Sequence, residues 1–159
     1  MANTSKIFRL TPIRAFLLYI VIDIVCVGMG MGVPIFNILF GFIVGWYLIK
    51  WISISALDWE VVLHRLLVYA FITAVVTFVG MALLWGSSAK LLFDPQADIA
   101  RFGIPFLLYE PRASLVGWLF LMILISPFLQ MLTTVFAGNL TLLILHRKRS
   151  KNEHPGGTA

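Results

Sequence analysis

Asp23 is the one carboxylate of this sequence that stands inside a long apolar stretch. It lies about 11 residues beyond Thr11-Pro12, roughly 16 Å of helical rise. In a hydrocarbon layer about 30 Å thick, that is close to the midplane. An ionised Asp at such a depth costs at least about 2.5–3.5 kcal/mol on insertion scales, so it must face other helices or carry a proton. Its chemistry would be that of a proton or cation site, or of an interhelical hydrogen bond worth about 1 kcal/mol. No Lys, Arg or His falls at comparable depth in the other apolar segments, so no salt-bridge partner is on offer. Thr77 and Gln130 do reach that depth, and both can hydrogen-bond a carboxyl group. A structural hydrogen bond is the expectation; ion or proton coupling through Asp23, Thr77 and Gln130 is the alternative.

Other residues form patterns that speak of packing. Asn37, Gly41 and Gly45 recur every four residues, and Gly41–Gly45 is a GxxxG motif that lets two helix backbones approach closely. The partner of that face could be another helix of this chain or a second copy; internal packing is expected. Ala70, Ala74, Thr77 and Met81 form a comparable small face. Ser126, Gln130, Thr133, Ala137 and Thr141 fall on one further stripe. Pro127 within it would free the carbonyl of Ile123 and kink the helix. Arg147, Lys148, Arg149 and Lys151 form a basic cluster suited to lipid headgroups.

Catalytic signatures are sparse. Glu60 and His64 lie one helical turn apart, but only Asp58 is near in sequence to complete a metal site. There is no HExxH, no phosphate-binding glycine loop before a lysine and no Ser/His/Asp set. The single cysteine, Cys26, excludes an internal disulfide and a cysteine-based zinc site. No catalytic residue, metal or cofactor is expected.

The elements that carry these residues are read from composition and spacing. Of 159 residues 60% are hydrophobic and 12% charged, far from the roughly 25% charged of a soluble domain. Ile24–Ile49, Leu66–Ala89 and Ala113–Leu145 contain no Asp, Glu, Lys or Arg. Such runs predict an all-α transmembrane bundle of four spans, at about residues 12–31, 34–51, 63–86 and 113–145, in one domain covering 1–151. The first helix opens at Thr11-Pro12 and is read as uncleaved, since no A-x-A-like site follows it. The glycines at 28, 30 and 32 with Pro34 predict a tight hairpin into the second helix. Ser55 and Asp58 resemble a capping box for a third helix beginning near Ala56 and running to about Leu92. The fourth opens at Glu110-Pro111 and runs towards His146. Its 33 uncharged residues, Ala113–Leu145, amount to roughly 50 Å, so it must tilt, kink at Pro127 or leave the bilayer.

Between the last two helices, Asp94-Pro95 predicts an N-cap and Gly103 a stop, giving a short helix of about two turns. The following 104–109 stretch is expected to lie in the interface or fold back against the bundle. Residues 152–159 read as a disordered tail. With the N-terminus inside, nine Lys and Arg fall on the inner side and three on the outer, which places both termini in the cytoplasm. Trp46, Trp51 and Trp59 then lie at the inner interface, Trp85 and Trp118 at the outer. The net charge of +5 flanks apolar segments, which argues against nucleic acid and for a lipid bilayer as partner. The expected function is a non-catalytic membrane subunit or interaction protein, alone or as a homo-oligomer. A small ion- or proton-coupled transporter or channel is the alternative. Third comes a membrane-embedded enzyme acting on lipid. The plasma membrane is the default location.

Overall fold

The computed structural model describes residues 11–29, 34–53, 58–101 and 109–153, and every regular element among them is helical. Helix α1 spans Pro12–Met29, α2 Ile35–Ile52 and α3 Trp59–Trp85. A 3-10 segment, Gly86–Leu92, continues directly from α3, and a single 3-10 turn follows at Ile99–Arg101. Helix α4, Pro111–Phe120, passes through a π-helical turn at Leu121–Ile125 into α5, Ser126–Glu153. Among the described residues three helical stretches are long and apolar enough to cross a membrane: Ile35–Ile52, Trp59–Leu92 and Pro111–Lys148, which contain 18-residue windows of mean hydropathy 1.7, 2.4 and 2.1 respectively. Large apolar side chains cover the perimeter, among them Ile24, Phe71, Leu83 and Phe136, each more than half exposed. Water would penalise such a surface and soluble proteins keep apolar patches small, so the perimeter suits contact with lipid.

Local chemistry explains the helix ends. Pro34 has no donor to lose and stands as N-cap of α2. Asp58 is the N-cap residue of α3, with extended backbone at φ −59° and ψ 151°. Its expected box partner, Ser55, lies outside the described residues, as do the hairpin glycines 30 and 32. Pro111 occupies the first turn of α4, where its missing N–H is no loss. The π turn sits immediately before Pro127, whose ring would crowd the carbonyl of Ile123; Ser126 N–H reaches back five residues to the Leu121 carbonyl instead.

Three expectations need correction. Among the described residues up to Arg101, the short helix after Asp94 is one 3-10 turn and not two helical turns, because Asp94 Oδ1 accepts the Gln96 backbone N–H at 2.9 Å and so closes a local turn. Helix α5 continues to Glu153, into the stretch read as tail; residues 154–159 lie outside the described residues. Trp118 is no belt residue: it is 2% exposed and meets Trp85 edge-on at 4.5 Å between ring centres. Of the 104–109 stretch, expected in the interface or folded back on the bundle, only Tyr109 is among the described residues, and it is exposed.

Helix α2 packs closest along α5, with α3 against α5 and α1 against both α2 and α3. Two apolar clusters result. One gathers Tyr19, Phe40, Leu48, Ile49, Leu66 and Leu142. The other gathers Val27, Met81, Leu115, Trp118 and Met122. Along α1, α3 and α5 a polar layer separates them.

Candidate functional site

That polar layer is built by helical spacing. On α1, Tyr19, Asp23 and Val27 follow one another at four-residue steps, so all three face inward and are buried while Ile13, Leu17 and Val21 face out. On α3, Thr73 and Thr77 stand one turn apart, and α5 supplies Gln130. Asp23 is 4% exposed. The Thr77 hydroxyl lies 3.0 and 3.1 Å from its two carboxyl oxygens, and Gln130 Nε2 lies 3.2 Å from Oδ1. Three helices therefore meet at one carboxyl group, and the three residues singled out from depth alone stand together.

Sequence inspection passed over Tyr19 and Thr73. The Tyr19 hydroxyl is 2.9 Å from both the Thr73 carbonyl oxygen and Thr77 Oγ1, and accepts a longer bond of 3.4 Å from Gln130 Nε2. Its position one turn before Asp23, on the same face of the helix, was the available signal. Among the described residues Asp23 makes no ion pair; the only one is between the exposed Arg101 and Asp98. A carboxyl group in this setting depends on hydroxyl and amide partners alone.

Those partners form a chain whose direction can reverse. Thr77 and Tyr19 each carry one hydroxyl hydrogen and can also accept. With Asp23 ionised, Thr77 donates to the carboxylate and Tyr19 to Thr77 or to the Thr73 carbonyl. With Asp23 protonated, the carboxyl can donate to Thr77, Thr77 to Tyr19, and Tyr19 to the Thr73 carbonyl, so every hydrogen finds an acceptor. Both protonation states fit the same heavy-atom positions.

A second polar contact lies beside the first. Asn37 Nδ2 donates to Ser126 Oγ at 3.3 Å, and both residues are fully buried. Gln130 Oε1 and Asn37 Oδ1 are buried without a hydrogen-bond partner among the described residues. The same face of α2 then presents Gly41 and Gly45 to α5. A Cβ on Gly41 would stand 2.6 Å from the Gln130 carbonyl oxygen, and one on Gly45 would run into Thr134 and stand 2.9 Å from the Gly138 nitrogen. The Asn37, Gly41 and Gly45 face is therefore occupied by a helix of this chain.

The stripe on α5 differs from its expected form by one position. Ser126, Gln130, Ala137 and Thr141 are buried, but Thr134 is fully buried where Thr133 is only half-buried. Thr133 Oγ1 instead reaches the Ile38 carbonyl oxygen of α2 at 2.8 Å. The inward row is Ser126, Gln130, Thr134 and Gly138, a four-residue repeat that the expectation missed by changing to a three-residue step. Pro127 is buried below the π turn. Arg147 and Lys148 are exposed near the end of α5, and the side chains of Arg149 and Lys151 lie outside the described residues. Glu60 and His64 are both exposed on α3. No family model, curated protein or solved structure matches the chain.

Proposed function

We propose that this chain is a four-span membrane protein with both termini in the cytoplasm, acting as a non-catalytic subunit or interaction protein. The carrying observation is the enclosure of its polar layer. Asp23, Thr77 and Gln130 are each nearly or fully buried, and the Tyr19–Phe40 and Met81–Met122 clusters close the layer on either side. Polar groups used in this way tie helices together, each bond contributing about 0.6 kcal/mol in a bilayer. Helix α1 supports the fourth span: its 18 residues reach about 27 Å, close to the hydrocarbon thickness. The Gly41–Gly45 face is spent on α5, so assembly with another membrane protein would use the lipid-facing perimeter.

Proton coupling through Asp23 is the second reading, favoured by the reversible hydroxyl chain from Asp23 through Thr77 to Tyr19. Proteoliposomes separate the two. A non-catalytic subunit gives no proton flux above protein-free vesicles, and its mass in nanodiscs shows a defined complex larger than one chain. Flux that is present in the native protein and lost in Asp23→Asn would replace this reading by transport.

A further inference from the structure

Between α1, α2 and α3 runs an apolar groove of about 290 Å³. Phe16, Tyr19 and Ile22 of α1, Val44, Tyr47 and Trp51 of α2, and Tyr69 and Ile72 of α3 line it. Its extent is informative. On α1 it reaches from Pro12 to Ile22, and on α2 from Phe40 to Trp51. Ten or eleven helical steps make about 15–16 Å, half of a hydrocarbon layer of about 30 Å. The groove thus begins at the Trp46–Trp51 end and stops near the middle of the bilayer, at the level of Asp23.

A membrane-spanning partner helix would need a trough along the full thickness. A chain entering from one leaflet needs only half. The open end carries fitting chemistry: Lys50 Nζ lies 5.2 Å from the ring centre of Trp46, itself a groove residue, and the exposed Arg14 sits between the groove residues Pro12 and Ala15. Basic side chains beside indole rings are the surroundings of a phosphate headgroup. We infer that the groove is a binding site for one anionic phospholipid of the leaflet at the Lys50 end, its acyl chain between α1 and α2 and its phosphate at Lys50 and Arg14. The chain lies against the ring of Tyr19, whose hydroxyl belongs to the polar layer behind it. The inference needs only that α1 and α2 lie in a bilayer, and it holds for a subunit and for a transporter alike.

Native mass spectrometry of the full chain from nanodiscs of mixed phosphatidylglycerol and phosphatidylcholine tests it. One retained phosphatidylglycerol per chain is expected. Lys50→Gln should lower the preference for the anionic lipid about fivefold, as should Arg14→Gln. Ala15→Phe, which fills the groove, should abolish retention with far-UV circular dichroism unchanged. Should that variant misfold, a phosphatidylglycerol with a photoreactive group on its acyl chain reports on the native protein, and adducts should concentrate in residues 12–22 and 40–51. Labelling spread evenly over all exposed helices, equal retention of both lipids, or a dimer in place of the lipid adduct would overturn the assignment.

Discussion

Asp23 is held by one partner from each of two other helices, and that arrangement sets what its replacement does. In Asp23→Leu the Gln130 amide loses its carboxyl acceptor and keeps only the long contact to Tyr19. Leaving buried donors underused costs about 1–3 kcal/mol. Leucine gains little in return, because the site is 4% exposed and meets almost no lipid. Asn at the same place keeps one acceptor oxygen for Thr77 or Gln130, so Asp23→Asn should cost less than about 1 kcal/mol. Unfolding in mixed micelles by rising dodecyl sulfate, followed by circular dichroism, should rank the native protein and Asp23→Asn together and Asp23→Leu below them. A leucine variant as stable as the native chain would mean that these bonds do not hold the helices.

Helix pairing turns on glycines, and the four that matter behave differently. Gly45 faces the backbone of α5 at Thr134 and Gly138, which cannot move aside without parting the helices. Gly45→Ala should destabilise by about 1–3 kcal/mol, the usual range for overpacking. Gly41→Ala should act in the same sense, since the Gln130 carbonyl oxygen is in its way. Gly138 differs: its added Cβ would meet the ends of Leu66 at 2.6 and 2.7 Å, a side chain that can be shortened. Leu66→Ala should therefore relieve part of the cost of Gly138→Ala, a coupling visible in a double-mutant cycle. Gly80 meets nothing within 4 Å, and Gly80→Ala should stabilise α3 by up to about 1 kcal/mol.

The contrast among these glycines also marks what the sequence could disclose. Gly41 and Gly45 stood out because four-residue spacing of small residues has one physical use in a membrane helix. Gly138 belongs to such a row only with Thr134, and the neighbouring Thr133 made the wrong row equally plausible. Depth along each helix sufficed to bring Asp23, Thr77 and Gln130 together, since rise per residue is fixed. It could not single out Tyr19 and Thr73, because which side of α1 turns inward is decided by packing against α3. Pro127 announced an interrupted backbone ladder but not the π turn that precedes it, whereas Asp94 served a turn because a local backbone N–H was nearer than a helix start.

The arrangement of the whole chain brings aromatic residues together at its two ends. Trp59 meets His146 edge-on at 6.5 Å, and Trp51 meets Tyr69 at 5.9 Å, which gathers the end of α2, the start of α3 and the far part of α5 on one side. Trp85 and Trp118 meet on the opposite side, where α3 ends and α4 begins. If Lys50, Arg65, Arg147 and Lys148 mark the cytoplasmic face, then Ser87, exposed in the 3-10 segment after α3, must face outward. Cys26 is the sole cysteine, so a Cys26→Ser background leaves no native thiol. In that background Ser87→Cys should react with a membrane-impermeant maleimide in intact cells. Ser150→Cys should react only after the membrane is opened. Because three spans would put residue 150 on the side opposite the N-terminus, Ser5→Cys supplies the deciding comparison. Four spans require residues 5 and 150 to be protected together, while an odd number exposes one of the two. Labelling of residue 150 from outside with residue 5 protected would remove α1 from the membrane-crossing set, and with it the bilayer burial of Asp23.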